Sequence, residues 1–311
     1  MKDSFGRDIT YLRLSVTRRC NLNCVYCGKA DCEKKEEELT AEQFALLAAA
    51  FADCGVRKIR LTGGEPLVRG DIVEIVRYLR AIPSLETLAL TTNGVYLARY
   101  ADELRRAGLD SVNISLDSTD GATYRRLTGA DVLHKVFDGI EAAERAGLAP
   151  IRINAVLMKG VNADGAADLI DLARRKRVDV RFIELMPFSD EGEDASRRVT
   201  GAEILAQFPF LRETGGADGT AVYYTAEGFV GRIGLIDPVS RKFCGQCSRV
   251  RLLCDGSVKP CLGDPAEYDL KPFLNDPARL REEIRQIIQK KPAGHRFGEA
   301  KQFHGLNQTG G

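Results

Sequence analysis

A chain of 311 residues, 44% hydrophobic and 29% charged, is long enough for one barrel-sized core with an appendage and has the makeup of a soluble enzyme. Lys and Arg total 45 against 44 Asp and Glu, a net charge of +1, so nothing global suggests a nucleic-acid or membrane partner. No run approaches the roughly 18 apolar residues of a spanning helix, and the opening "MKDSFGRDITYLRLS" has no signal-peptide core, so the cytosol is the expected compartment.

The segment "YLRLSVT" reads as a first strand and leads into "RRCNLNCVYC". The stretch "ELTAEQFALLAAAFADCG" starts at a capping Thr40, carries apolar residues at helical spacing and stops at Gly55. Next come strand "RKIRLTGGEP", helix "DIVEIVRYLRAI", strand "LETLALTTNG" and helix "LARYADELRRAG". The pattern continues with strand "SVNISLDS", helix "HKVFDGIEAAERAG", strand "IRINAVLM", helix "ADGAADLIDLARRKR" and strand "DVRFIELMP". Six strands alternating with helices predict an α/β fold of parallel strands with right-handed crossovers, a partial TIM-like (βα)6 barrel. Its chemistry is expected at the C-terminal ends of the strands. There lie "RRC", "TGGEP", "TTNG", "SLDS", "MKG" and "ELMP". Each alone could be a turn; together they place polar groups around one cavity mouth. The barrel is assigned to residues 1–225 and a cysteine-bearing extension to 226–311.

Nine cysteines divide unevenly. Cys20, Cys24 and Cys27 form C-x3-C-x2-C; Cys244, Cys247 and Cys261 form C-x2-C-x13-C. In a reducing cytosol, clustered cysteines more often hold metal or do chemistry than pair as disulfides. A cubic iron–sulfur cluster normally takes four thiolates, so three leave one iron open. For the second set a zinc site is the alternative, with Cys254 as a fourth ligand. Cys54 reads as core and Cys254 as a strand-end residue before an Asp-Gly turn, while Cys32 could be a fourth ligand to the first set.

The C-x3-C-x2-C after the first strand, with the aromatic Tyr26 before its third cysteine, resembles the radical S-adenosylmethionine (SAM) superfamily. The "TGGEP" one βα unit later strengthens that resemblance. Both cysteine sets and the stretches "FGRDITYLRLSVTRRCNLNCVYC", "VRKIRLTGGEPLVR", "LTTNG", "VNISLDS", "VRFIELMP" and "CGQCSRVRL" resemble the GTP 3′,8-cyclase family of molybdenum cofactor biosynthesis.

The resemblance implies two 4Fe-4S clusters, one on each cysteine triad, and SAM bound through Tyr26, Gly64, Glu65, Ser115 and Met186. It implies that reduced SAM yields an adenosyl radical that takes the 3′ hydrogen of GTP, after which the sugar attacks C8 of guanine. GTP would be met by Thr91, and by Arg249 and Arg251 if these do not orient the tail. The C-terminal Gly-Gly, otherwise a flexible tail or conjugation signal, would enter the active site. An electron donor such as flavodoxin or ferredoxin, the next enzyme of the molybdopterin pathway and a second copy in a homodimer are the expected partners.

Arg13, Arg60, Arg152 and Arg181 stand near the catalytic ends of their strands, and guanidinium forks suit triphosphate oxygens. The plainer reading pairs each with a local carboxylate. No P-loop is present. Several positions depart from the family pattern: Gly28-Lys29 replaces Met-Pro, Arg152 replaces lysine, tryptophan is absent, and "FSDEGEDASRRVTGAEIL" and "NQTGG" are unusual. A radical SAM enzyme acting on another nucleotide or a peptide is the alternative activity, and a non-catalytic iron–sulfur or zinc scaffold the alternative class.

Overall fold

The computed structural model describes residues 1–28, 38–218, 220–297 and 305–309. Cys32, the acidic stretch around it and the terminal Gly310-Gly311 lie outside the described residues. The first half of the chain alternates as its patterning requires. β1 (Tyr11–Ser15), α1 (Ala41–Asp53), β2 (Lys58–Thr62), α2 (Ile72–Arg80) and β3 (Thr87–Thr92) come first. They are followed by α3 (Leu97–Arg106), β4 (Ser111–Ser115), α4 (Gly121–Thr128), α5 (Leu133–Arg145), β5 (Ile151–Val156), α6 (Ala166–Arg175) and β6 (Val178–Ile183). α4 was not foreseen; its cap Asp120 accepts from Thr123 N–H, and it stops at a left-handed Gly129.

The C-terminal part adds α7 (Asp190–Glu193), α8 (Gly201–Gln207), β7 (Arg212–Asp218), β8 (Ala221–Thr225) and β9 (Ile233–Ile236). It ends with β10 (Arg249–Leu252), β11 (Ser257–Lys259), β12 (Tyr268–Asp269), α9 (Pro277–Gln289) and α10 (Leu306–Thr309). All strands join one sheet in the order β12-β11-β10-β1-β2-β3-β4-β5-β6-β9-β8-β7. The sheet is therefore wider than the six expected strands. β10 pairs parallel with β1 and β9 parallel with β6, so later hairpins cover both edges of the six-stranded unit. It also runs without a break across residues 225 and 226.

Helix amphipathicity holds the outer layer. α1 opens on a capping box between Thr40 and Gln43, and α2 buries Ile72, Ile75, Val76 and Leu79 while Arg77 and Arg80 end it. The strands alternate more informatively. Leu12, Leu14, Ile59, Leu61, Val112, Ile114 and Ile153 face the helices and are fully buried. Each such side chain adds about 1.5–3 kcal/mol. The residues between them are polar and line a cavity: Tyr11 and Arg13, Lys58 and Arg60, Asn113 and Ser115, Arg152 and Asn154. The half-barrel is thus apolar outside and polar inside, which leaves its interior open as a site.

Candidate active site

The cavity measures about 680 Å³ and takes in all six expected cysteine ligands, Cys20, Cys24, Cys27, Cys244, Cys247 and Cys261. The first three follow the C-terminal end of β1. The loop carrying them rests on α4, with Asn23 and Val25 N–H donating to Thr128 and Leu127 carbonyls at 3.0 Å. Asn93 crosses from the loop after β3 and donates to Asn21 Oδ1 at 2.8 Å. Tyr26 donates its hydroxyl to Asp117 Oδ2 at 2.6 Å, and Asp117 Oδ1 accepts from Val156 N–H at 2.8 Å. Burial raises the Asp117 carboxyl to about 6 and lifts the Cys24 thiol well above its usual value, with Asp117 adding to the latter.

Gly63 and Gly64 bring the loop after β2 against residues 17–19. A Cβ on Gly64 would stand 2.3 Å from Arg19 O, and one on Gly63, at φ +151°, 2.4 Å from Thr17 O. Only glycine permits this approach. Gly64 lines the cavity, but the Glu65 carboxylate does not. It is fully buried behind the wall, accepting from Leu67 N–H at 2.9 Å, Thr92 Oγ1 at 2.8 Å and Asn93 N–H at 2.6 Å. Burial raises it to about 7 against the pull of those three donors. Where the sequence suggested a ligand contact, the structure shows this side chain stapling the β2 and β3 loops together.

The arginines form the cavity wall. Arg13 and Arg60 sit at mid-strand and face each other in register; Arg152 is only the second residue of β5. Arg251 faces Arg13 from β10, and Arg249 faces Tyr11. Arg60 Nε donates to Tyr11 OH at 2.7 Å and its Nη1 to Leu90 O at 3.1 Å. Arg181 donates twice to Asn154 Oδ1, at 2.9 and 2.7 Å. Among the described residues neither of these two spends its hydrogen bonds on a carboxylate, which disfavours the local-pair reading for both. Burial brings Arg13 and Arg181 down to about 10. Beside them, Thr91 Oγ1 and Asn113 Oδ1 are buried with no hydrogen-bond partner among the described residues. Ser115 and Met186 also line the cavity.

The second triad lies at the opposite end. Cys247 precedes β10 and Cys261 follows β11, whereas the first triad follows β1, which runs parallel to β10. A five-residue strand rising about 3.3 Å per residue sets the two triads on the order of 15 Å apart. Burial opposes ionisation of Cys247, but Arg249 and Lys291 outweigh it and bring the thiol down to about 7. Cys254 takes no part: it is 2% exposed in the hydrophobic core, its thiol pushed up to about 12 by burial. Cys54 is likewise buried core. His295 lines the cavity with Nε2 at 2.9 Å from Pro238 O. Among the described residues no three His, Cys, Asp or Glu side chains gather as they would around a single ion.

The described end of the chain also reaches this cavity. Leu306 N–H donates to Cys27 O at 2.9 Å, and Arg251 Nη1 donates to Thr309 O at 3.0 Å. Sequence reasoning missed Tyr11, Asn113, Asp117, Asn154 and Lys291. For Asn113 and Asn154 the signal was present: polar residues at every second position of otherwise apolar strands. For Lys291 there was none.

The donor set fits the groups the fold implies. Three free thiols line each end of one cavity, and the interior between them is cationic and polar. Residues 14–173 match the model of the Radical SAM superfamily, and residues 178–297 that of Molybdenum Cofactor Synthesis C. The chain is 41% identical to GTP 3′,8-cyclase of Alkaliphilus oremlandii, over all of both chains. It is 43% identical to that of Geobacter sulfurreducens, over 97% of this chain and 96% of that one. With molybdenum cofactor biosynthesis protein 1 of Drosophila melanogaster it shares 40% identity over 99% of its own length and 56% of the relative's. Among solved structures, Streptococcus suis SuiB superposes with a TM-score of 0.59 at 16% identity, covering 90% of this chain and 68% of SuiB. That likeness is one of fold. By its two family matches and its full-length relatives, the chain belongs to the GTP 3′,8-cyclase family of the radical SAM superfamily.

Proposed function

We propose that the protein cyclises GTP to 3′,8-cyclo-7,8-dihydro-GTP by radical SAM chemistry, the opening reaction of molybdopterin formation. The observation that carries this reading is the single cavity with a cysteine triad at each end and buried arginines between. A cluster held by Cys20, Cys24 and Cys27, with SAM bound, would supply the carbon-centred radical that takes a ribose hydrogen. The rest falls to the chain's own residues.

Tyr26, Gly64, Ser115 and Met186 would hold SAM against the first triad, while Glu65 keeps the glycine turn in place. Arg13, Arg60, Arg152 and Arg181, with Thr91, would take the triphosphate and ribose, since buried cations favour an anion in a low-dielectric wall. Arg249 and Arg251 would serve the base or the tail beside a second 4Fe-4S cluster on Cys244, Cys247 and Cys261. SAM at the first triad and GTP reaching toward the second would lie end to end, which would bring C3′ to the radical and to C8. In this reading residues 1–225 form the radical SAM barrel, arginine wall included, and 226–311 carry the second cluster and the tail on the same continuous sheet. A homodimer, a flavodoxin or ferredoxin as donor, a cytosolic setting and a following molybdopterin enzyme complete the proposal.

Anaerobic reconstitution with iron and sulfide, then incubation with SAM, dithionite and GTP, tests it by mass spectrometry. 5′-Deoxyadenosine together with an isomer of GTP is expected. Deoxyadenosine released while GTP is untouched would send the search to another substrate, and no SAM cleavage at all would sink the radical reading.

A further inference from the structure

The second triad is drawn from two chain segments, and both are tied down by buried cations that no motif announced. Lys291 is 3% exposed; its Nζ donates to Arg249 O at 2.8 Å and to Pro260 O at 2.6 Å. Arg249 lies two residues after Cys247, and Pro260 immediately precedes Cys261. Arg7 is 8% exposed and reaches the same place from the N-terminal hairpin. Its Nη1 donates to Cys244 O and Ala293 O, both at 2.9 Å, and its Nη2 to Pro292 O at 2.6 Å. Asp3 meets its Nε at 2.6 Å and so answers its charge.

Lys291 differs in one respect. Its two hydrogen bonds go to neutral carbonyls, and among the described residues it makes no ion pair with a carboxylate. A buried cation without a counter-charge is costly. The cavity wall beside it carries Cys247 and Cys261. Thiolates bound to metal would provide the missing negative charge.

We propose that Lys291 and Arg7 are positioning residues that clamp the backbone on either side of Cys244, Cys247 and Cys261, so that the second triad is pre-formed for an anionic iron–sulfur cluster. The inference rests on the reading of that triad as a cluster site. Lys291 holds the carbonyls of Arg249 and Pro260, and Arg7 ties the Cys244 carbonyl to those of Pro292 and Ala293, so the short segment after α9 fixes both parts of the ligand set, the Cys244 side through Arg7. This leaves the first triad, at the other end of β1, outside the clamp.

The test uses full-length protein with Cys20, Cys24 and Cys27 changed to alanine, so that iron and sulfide load only the second triad. In this background Lys291→Met and Arg7→Met should each lose iron to a chelator about 10-fold faster or more, as losses of outer partners do, and should broaden the resonance of the reduced cluster. Lys291→Arg should restore both. In the complementary background, with Cys244, Cys247 and Cys261 changed to alanine, the same variants should load the first cluster with unchanged absorption. Unchanged retention and resonance overturn the clamp, and so does loss of both clusters together, which would mark a general folding role. Bridging of the metal-free triad by a short bis-alkylating thiol reagent gives a separate readout. Measured at a pH where the thiols are ionised in both proteins, so that the charge Lys291 lends Cys247 does not enter, it should be fast in the parent and slower in Lys291→Met. If the parent takes up no cluster, the cluster reading fails, and the bridging rate still decides whether the clamp exists.

Discussion

Arg60 donates its Nε–H to the Tyr11 hydroxyl at 2.7 Å across the paired strands β1 and β2, deep inside the half-barrel. Burial alone would raise the phenol, but the charges of Arg60, Arg13 and Lys58 outweigh it and bring Tyr11 down to about 7. In the unfolded chain a tyrosine titrates near 10. Between those values the folded protein has released a proton that the unfolded chain keeps, so this residue stabilises the fold increasingly as pH rises from about 7 to about 10. Below 7 the contribution is gone. Near-ultraviolet absorbance should show one tyrosinate forming near neutrality in the ligand-free protein, absent in Tyr11→Phe. GTP should move that midpoint upward, because a triphosphate cancels the field of the arginines. A midpoint unmoved by GTP would mean that the triphosphate binds elsewhere.

Glu65→Gln should weaken the fold more than its modest change in shape suggests. The carboxylate accepts from two backbone N–H groups and one hydroxyl, and an amide would turn a donor toward one of them. The cost should be about 1–3 kcal/mol in denaturant unfolding, with weaker SAM binding as the Gly63–Gly64 turn loosens. Unfolding as cooperative and as late as in the parent would refute the staple.

For the arginine wall, Arg152→Ala and Arg181→Ala should each raise KM for GTP about 10- to 100-fold, the value of a charge-assisted hydrogen bond. Guanosine lacking phosphates should bind both variants about as it binds the parent. An equal loss for nucleoside and nucleotide would show that these residues support the wall and do not touch phosphate.

Tyr26→Phe deletes the donor to Asp117 Oδ2 while leaving the Val156 N–H bond intact. The buried carboxylate then loses a partner, at about 1–3 kcal/mol. Iron held by the first triad should leave faster to a chelator, because Tyr26 stands between Cys24 and Cys27. The second triad should not change. If iron retention is the same at both sites, the hydroxyl has no part in holding the loop.

What the sequence determined alone was local. C-x3-C-x2-C, the glycine turn of TGGEP and the capped helix after Thr40 each depend on residues a few positions apart, whose spacing carries the chemistry. The alternation of strands and helices also specified the parallel unit from β1 to β6, since two periods, near 2 and near 3.6, are written directly in the apolar residues. Tertiary structure decided what lies far apart in the chain. β10 pairs with β1 across more than two hundred residues and carries the second triad to the end of the cavity opposite the first. That pairing widened the sheet beyond six strands. It also turned Lys291 and Arg7, ordinary surface residues by composition, into buried cations beside cysteines. Glu65 was visible in its motif, but its direction was not: a carboxylate next to a glycine turn can face a ligand or the fold. Only the donors waiting on Leu67, Thr92 and Asn93 turned it inward.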